Sequence, residues 1–228
     1  FSNLSRFDLA VSRTLRLVNG HYGELFSESE PLSSSFGSLV FTGVEDDPET
    51  IKTLKRMGFK QPEQVSAAIR SWHHGRIPAT RSERGRELFT RLVPRLLEAL
   101  NETGTPSIAF TRFASFFVTL NAGVQIQSLF LANPKLFHTI VEIMGFSPRL
   151  AHMLARHPTS FDAMLDAGFF DPLGEELDQL VTREVERVPP DLEAVMNALR
   201  RIGREQQFRI GMQILSGRLS TEAAGAAY

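Results

Sequence analysis

The feature that most constrains this chain is a dipeptide device repeated along it: a side chain able to cap a helix, set directly before a proline. Asp47-Pro48, Thr105-Pro106, Asn133-Pro134, Ser147-Pro148 and Asp171-Pro172 all have this form. The capping oxygen accepts a hydrogen bond from a free amide of the first turn, and proline at the first helical position loses nothing by lacking an N–H. Lys60-Gln61-Pro62, His157-Pro158 and Pro189-Pro190 mark further starts with poorer caps. The intervals predict helices of about 10–25 residues. Between the marks, apolar residues keep a helical spacing. Ala109, Phe110, Phe113, Phe116, Phe117 and Leu120 share one face; so do Leu136, Phe137, Ile140, Val141 and Met144, and then Leu150 and Leu154. The pattern continues through Phe161, Met164 and Leu165, then Leu173, Leu177, Leu180, Val181 and Val188. Only 37–44 (GSLVFTGV) could be extended, and it is short. The expected fold is all-α: an irregular bundle of short-to-medium helices, a long last helix and no significant sheet. No fixed-period repeat of the solenoid kind is present.

Composition agrees and narrows the class. Leu occurs 27 times against 23 for Val and Ile together, a balance that favours helix over strand. Eighteen Phe against two Tyr and one Trp point to dry cores and interfaces rather than to sugar or base stacking. With no cysteine there is no disulfide framework, zinc knuckle, iron–sulfur ligation or thiol nucleophile, and a reducing, cytoplasmic setting is expected. A formal net charge of −1 excludes a generally basic nucleic-acid coat, and no apolar run is long enough to span a membrane. A chain that opens on Phe1 rather than Met reads as a piece of a longer protein. Within 4–26, Leu4, Phe7, Val11, Leu15, Val18, Tyr22 and Phe26 trace an amphipathic helix, and 27–38 reads as a Ser/Gly-rich linker. The organisation expected is 1–45 helix plus linker, 46–104 helical linker region, and 105–228 a second helical block.

Few constellations invite chemistry. His73 and His74, adjacent on a helix, point about 100° apart, while His152 and His157 are five apart, so both pairs miss the geometry of a helical metal site. Solvated or capping histidines are expected. Gly37-Ser38 followed by Glu45-Asp46-Asp47 faintly echoes a nucleotidyltransferase site, in which paired carboxylates on a strand hold Mg²⁺. Asp47, however, runs into Pro48 and is better read as an N-cap. No catalytic, cofactor-binding or metal residue is assigned. Between Arg76 and Arg95 lie six arginines and two glutamates; 162–193 carries ten acids against Arg183 and Arg187; 200–218 holds five arginines against Glu205. Solvated faces with i, i+4 pairs are the expected reading of all three.

The last helix, expected from about Asp191 to about Gly217, carries two apolar faces. Leu192, Val195, Met196, Leu199, Ile202, Ile210 and Ile214 form one; Phe208, Met212 and Leu215 open a second, continuing from Arg201 and Arg204. The first is assigned to the core. The second is expected to dock another domain, with Arg201 and Arg204 at its rim, and in the isolated chain to lie exposed, under the tail after Gly217 or against another copy.

Several runs, in order and spacing, resemble one family. They are Gly58-Phe59 with Pro62, Trp72-His73-His74-Gly75-Arg76 leading to Arg81-Ser82-Glu83-Arg84, Asn133-Pro134, Ser147-Pro148-Arg149-Leu150-Ala151, and Leu154-Ala155-Arg156-His157-Pro158. Asp191-Leu192-Glu193, Leu199-Arg200-Arg201 and Glu205-Gln206-Gln207-Phe208-Arg209-Ile210 are the most specific part. Across essentially the whole chain they resemble the bacterial bifunctional glutamine synthetase adenylyltransferase/adenylyl-removing enzymes. The resemblance implies a parent with two nucleotidyltransferase domains. One transfers AMP from ATP to a tyrosine of glutamine synthetase and the other removes it by phosphorolysis, both using Mg²⁺ and answering to glutamine and PII signal proteins. It implies that 1–45 trails the removing half and 105–228 opens the transferring half, with the second catalytic domain beginning shortly after Tyr228. The family's catalytic motif, a glycine-rich turn followed by Ser-Asp-Leu-Asp, has no match here, so no catalytic residue is carried over. The expected role is a non-catalytic interdomain segment, inactive alone, with the flanking catalytic domains, glutamine synthetase and PII as partners through the parent. No nucleic-acid or membrane partner is expected. The alternative is an effector-binding module for glutamine or PII, with the Arg76–Arg95 cluster as its cation source.

Overall fold

The computed structural model describes residues 33–34, 37–41, 43, 45–157, 159–164, 167–171, 176–220 and 222. The predicted helix at 4–26, Leu165, Leu173 and the prolines of His157-Pro158 and Asp171-Pro172 lie outside these residues.

Among the described residues the chain is helical, as its pattern predicts. A two-residue antiparallel ladder, β1 (Ser33–Ser34) with β2 (Gly37–Ser38), precedes α1 (Pro48–Arg56), α2 (Pro62–His73), a 3-10 turn (Pro78–Thr80) and α3 (Glu83–Glu102). Then come α4 (Pro106–Phe117), α5 (Gly123–Ala132), α6 (Pro134–Phe146), α7 (Pro148–Arg156) and the short α8 (Thr159–Ala163). A second 3-10 turn (Ala167–Phe170), α9 (Glu176–Glu186) and α10 (Leu192–Leu215) complete the order.

The marked prolines at 48, 62, 106, 134 and 148 each open a helix, but the caps work unevenly. Asp47 Oδ2 accepts from Thr50 N at 2.8 Å, and Ser147 Oγ accepts from Leu150 N at 3.4 Å. Thr105 and Asn133 make no side-chain cap. The reason at Asn133 is geometric: it closes α5 and opens α6 at once, its N–H donating to Leu129 O, so the junction backbone fixes its conformation. α10 ends as the glycine predicts. Gly217 adopts φ +69°, and Gly217 N and Arg218 N donate to Ile214 O and Gln213 O. That double bond is a Schellman closure, and it favours glycine because a Cβ is strained at such a φ.

α3 lies at the centre, touching α2, α4, α5 and α6. Its Phe89 and Leu92 meet an aromatic chain in which Trp72 stacks on Phe110 at 5.7 Å and Phe89 stacks on Phe117 at 5.5 Å. The predicted faces of α4 and α6 are buried, with Leu136 partly so, whereas α9 is peripheral: Leu177, assigned to a buried stripe, is exposed. The apolar core is one cluster from Leu39 to Met212, so packing crosses both 45/46 and 104/105.

Candidate docking face on the last helix

α10 carries the feature with the clearest functional meaning, and the structure turns it round relative to the sequence reading. Phe208 and Met212 are 0% exposed and belong to the core. Leu192, Met196 and Leu199 are 76%, 41% and 42% exposed. Of the three states expected for the Phe208/Met212 side, exposed, under the tail after Gly217 or against another copy, the exposed one is therefore corrected. The cover comes from within the chain. Arg209 Nε donates to Phe169 O at 2.8 Å, and its Nη2 donates to Gly168 O and Asp171 O, both at 2.9 Å. Gln213 Nε2 donates to Asp171 O at 2.8 Å. These four bonds clamp the 3-10 turn of 167–170 onto α10, setting the Phe169 ring 6.0 Å from that of Phe208.

The expected rim residues divide. Arg201 is exposed and reaches across to α9, its Nη2 donating to Glu184 Oε2 at 2.7 Å; this bond is the main cause holding the Glu184 carboxyl below its ordinary range. It is therefore a strut of the α9–α10 contact rather than a rim group. Arg204 is half-buried near His157, whose imidazole is pushed down first by burial and next by Arg204. Leu215 lies in an apolar cleft of about 460 Å³ between the end of α6, α7 and α10, with Phe146, Leu150, Met153, Ile210 and Ile214. Phe146 is 60% exposed, and Arg149 Nη2 donates across the mouth to Gln207 Oε1 at 3.0 Å.

At about 100° per residue, Leu192, Met196, Leu199, Gly203, Ile210 and Ile214 fall within an arc of about 60°. The exposed stripe and the wall of the cleft are thus one face of α10. At about 1.5 Å per residue it runs about 33 Å, open over the first half and partly covered by α7 over the second. Sequence reading named Leu192, Met196, Leu199, Ile210 and Ile214 and assigned them to the core; it missed Phe146, whose signal was its position off the Phe137/Ile140/Val141/Met144 stripe.

The other constellations fold into ordinary structural roles. Asp47 is the α1 cap, and Asp46 pairs with Arg70 at 2.9 Å. His73 is half-buried edge-on to Phe89 at 5.0 Å, neither solvated nor capping as expected; burial, then the neighbouring His74, lowers its pKa to about 4. His74 is the C-cap of α2. Among the described residues no three His, Asp or Glu side chains gather to hold a metal. Of the six arginines between Arg76 and Arg95, Arg84 pairs with Glu87 at 2.7 Å and Arg86 donates to Arg81 O at 2.9 Å. Arg95 lines a half-open hollow of about 160 Å³ with Glu98, Glu102 and His138 over Phe130 and Phe137. No helix among the described residues is long and apolar enough to cross a membrane.

Comparison with known proteins gives a consistent answer. Residues 137–227 match the family model described as glutamate-ammonia ligase adenylyltransferase. The chain is 57% identical over 226 residues, 99% of its length, to the bifunctional glutamine synthetase adenylyltransferase/adenylyl-removing enzyme of Caulobacter vibrioides. It is 42% identical over its full length to the enzyme of the same description from Rhizobium meliloti, and 38% to that of Agrobacterium fabrum. It spans only 22%, 23% and 23% of those three relatives.

Proposed function

We propose, from the premise that this chain is homologous along its length to one stretch of the bifunctional glutamine synthetase adenylyltransferase/adenylyl-removing enzymes, that it is a non-catalytic helical segment of such an enzyme. The observation that carries this reading is the pairing of whole-chain identity with small coverage: 99% of this chain aligns with 22% of the Caulobacter relative. The parent enzyme adds AMP to, and removes it from, glutamine synthetase in the cytoplasm, with PII as a signalling partner. Mg²⁺ and ATP belong to its nucleotidyltransferase domains and not to this segment. Its acids support that division, because nucleotidyl transfer needs carboxylates free to hold metal ions. Here Asp47 caps α1, Asp46 pairs with Arg70, and Glu184 takes Arg187 and Arg201. The segment contributes geometry: a rigid core anchored on α3 and a long terminal helix that set the separation and orientation of the catalytic domains.

The test is direct. The isolated chain, incubated with labelled ATP, Mg²⁺ and glutamine synthetase, is expected to give no AMP-tyrosine. Transfer above background that scales with chain concentration overturns the reading.

A further inference from the structure

We infer that the outward face of α10, from Leu192 to Ile214, is the surface on which the remainder of the same full-length enzyme docks, and that the docking element is apolar with an acidic rim. The inference rests on the interdomain reading above and names the surface that reading requires.

Three observations on the molecule lead to it. The first is continuity. Leu192, Met196 and Leu199 stand exposed on the same arc of α10 that runs into the cleft of Phe146, Ile210, Ile214 and Leu215. A helix face that stays apolar for about 33 Å while half of it meets water is a liability unless something covers it. At Gly203, on the same arc, an added Cβ would have nothing within 4 Å, so a partner backbone can approach closely there. The second is charge. Arg200 and Arg204 on α10 and Arg149 on α7 flank the face on one side, against Glu193. A docking surface with acids along its edge meets that flank favourably. The third is chain length. More than three-quarters of each relative lies outside the aligned stretch, and α10 closes at Gly217 beside the Leu215 end of the cleft. Beyond Gly217 the Arg218 guanidinium lies 4.7 Å over the Phe170 ring, on the clamped side, so the described exit of α10 leaves this face open. The whole surface, from Phe146 to Leu215, also falls within residues 137–227, the part matched by the family model.

Methionine oxidation tests this without a partner in hand. The chain has six methionines: Met196 is exposed on this face, while Met57, Met144, Met153, Met164 and Met212 are buried. Thioether oxidation by peroxide follows access, so in the isolated chain Met196 should become sulfoxide at least about ten-fold faster than Met57, Met144 or Met212. In the full-length enzyme carrying this segment, Met196 should slow by at least about five-fold while the buried five are unchanged. The Leu199→Glu variant of the full-length enzyme, which places a charge on the dry face, should restore fast oxidation of Met196 without changing the helicity of the isolated chain. Equal Met196 rates in the isolated and full-length proteins overturn the inference. Protection in the isolated chain that grows with its concentration also overturns it, by showing that the occupant is a second copy. Continued protection in Leu199→Glu overturns it too. Adenylyl transfer by the isolated chain would instead defeat the non-catalytic reading, whatever Met196 does.

Discussion

Truncating Phe208 separates the two faces of α10 by stability. Its ring is fully buried, one turn from the equally buried Met212, and is closed in by the clamped Phe169. Removing a buried Phe side chain to Ala costs about 3–5 kcal/mol, and a buried Met about 2–5 kcal/mol, because the cavity left behind collapses only in part. The two sites share neighbours, so the double variant is not the sum; coupling of roughly 0.5–3 kcal/mol is expected. For a chain of this size about 2–4 °C is lost per kcal/mol, which sets the Phe208→Ala loss at roughly 6–20 °C. The matched comparison is Met196→Ala with Leu199→Ala on the outward face, where exposed substitutions typically change stability by about 0.5 kcal/mol each. Thermal melts followed by far-UV circular dichroism on the isolated chain, with urea midpoints as a second measure, read both. A Phe208→Ala melt within 2 °C of the parent would show that the side chain is not part of the core. An outward double variant that melts lower than Phe208→Ala would show that the two faces had been exchanged.

Two further perturbations follow from local geometry. A Cβ on Gly123 would land on Cα and Cβ of Ala79, where α5 crosses the first 3-10 turn, so Gly123→Ala should cost about 1–3 kcal/mol; Gly203→Ala, with open space around it, should add up to about 1 kcal/mol. Urea midpoints measure both, and equal signs would refute the packing argument. His73 stays neutral in the folded chain down to about pH 4, whereas the unfolded chain protonates it near 6.5. The unfolded state then holds the extra proton, so this residue makes stability fall as pH drops from about 6.5 towards 4, by up to roughly 3 kcal/mol at about 1.4 kcal/mol per pH unit. Urea midpoints between pH 7.5 and 4.5 should fall less steeply in His73→Leu than in the parent, and identical slopes would exclude His73 as the cause.

Most helix starts, the helical class and the two apolar faces of α10 were legible in the sequence, because each depends on nearby residues. A proline's fixed φ opens a helix wherever it stands, a glycine closes α10 at 217 because it alone takes that φ without strain, and periodicity declares a face whatever it meets. The resemblance to the adenylyltransferase relatives was legible for a related reason: order and spacing of short runs survive without any knowledge of contacts. What periodicity could not say is which of two apolar faces turns inward. That was decided by a tertiary event, the clamping of 167–170 onto α10 by Arg209 and Gln213, whose partners lie about 40 residues away and are backbone carbonyls without a side-chain signature. The same holds for Asn133, which has a capping side chain but sits where two helices share one junction residue. It holds for His73, half-buried where Phe89 and Thr90 of α3 pack beside it. Local sequence determines which elements form and where they end; the burial of each face depends on which distant backbone happens to be brought against it, and only the folded chain settles that.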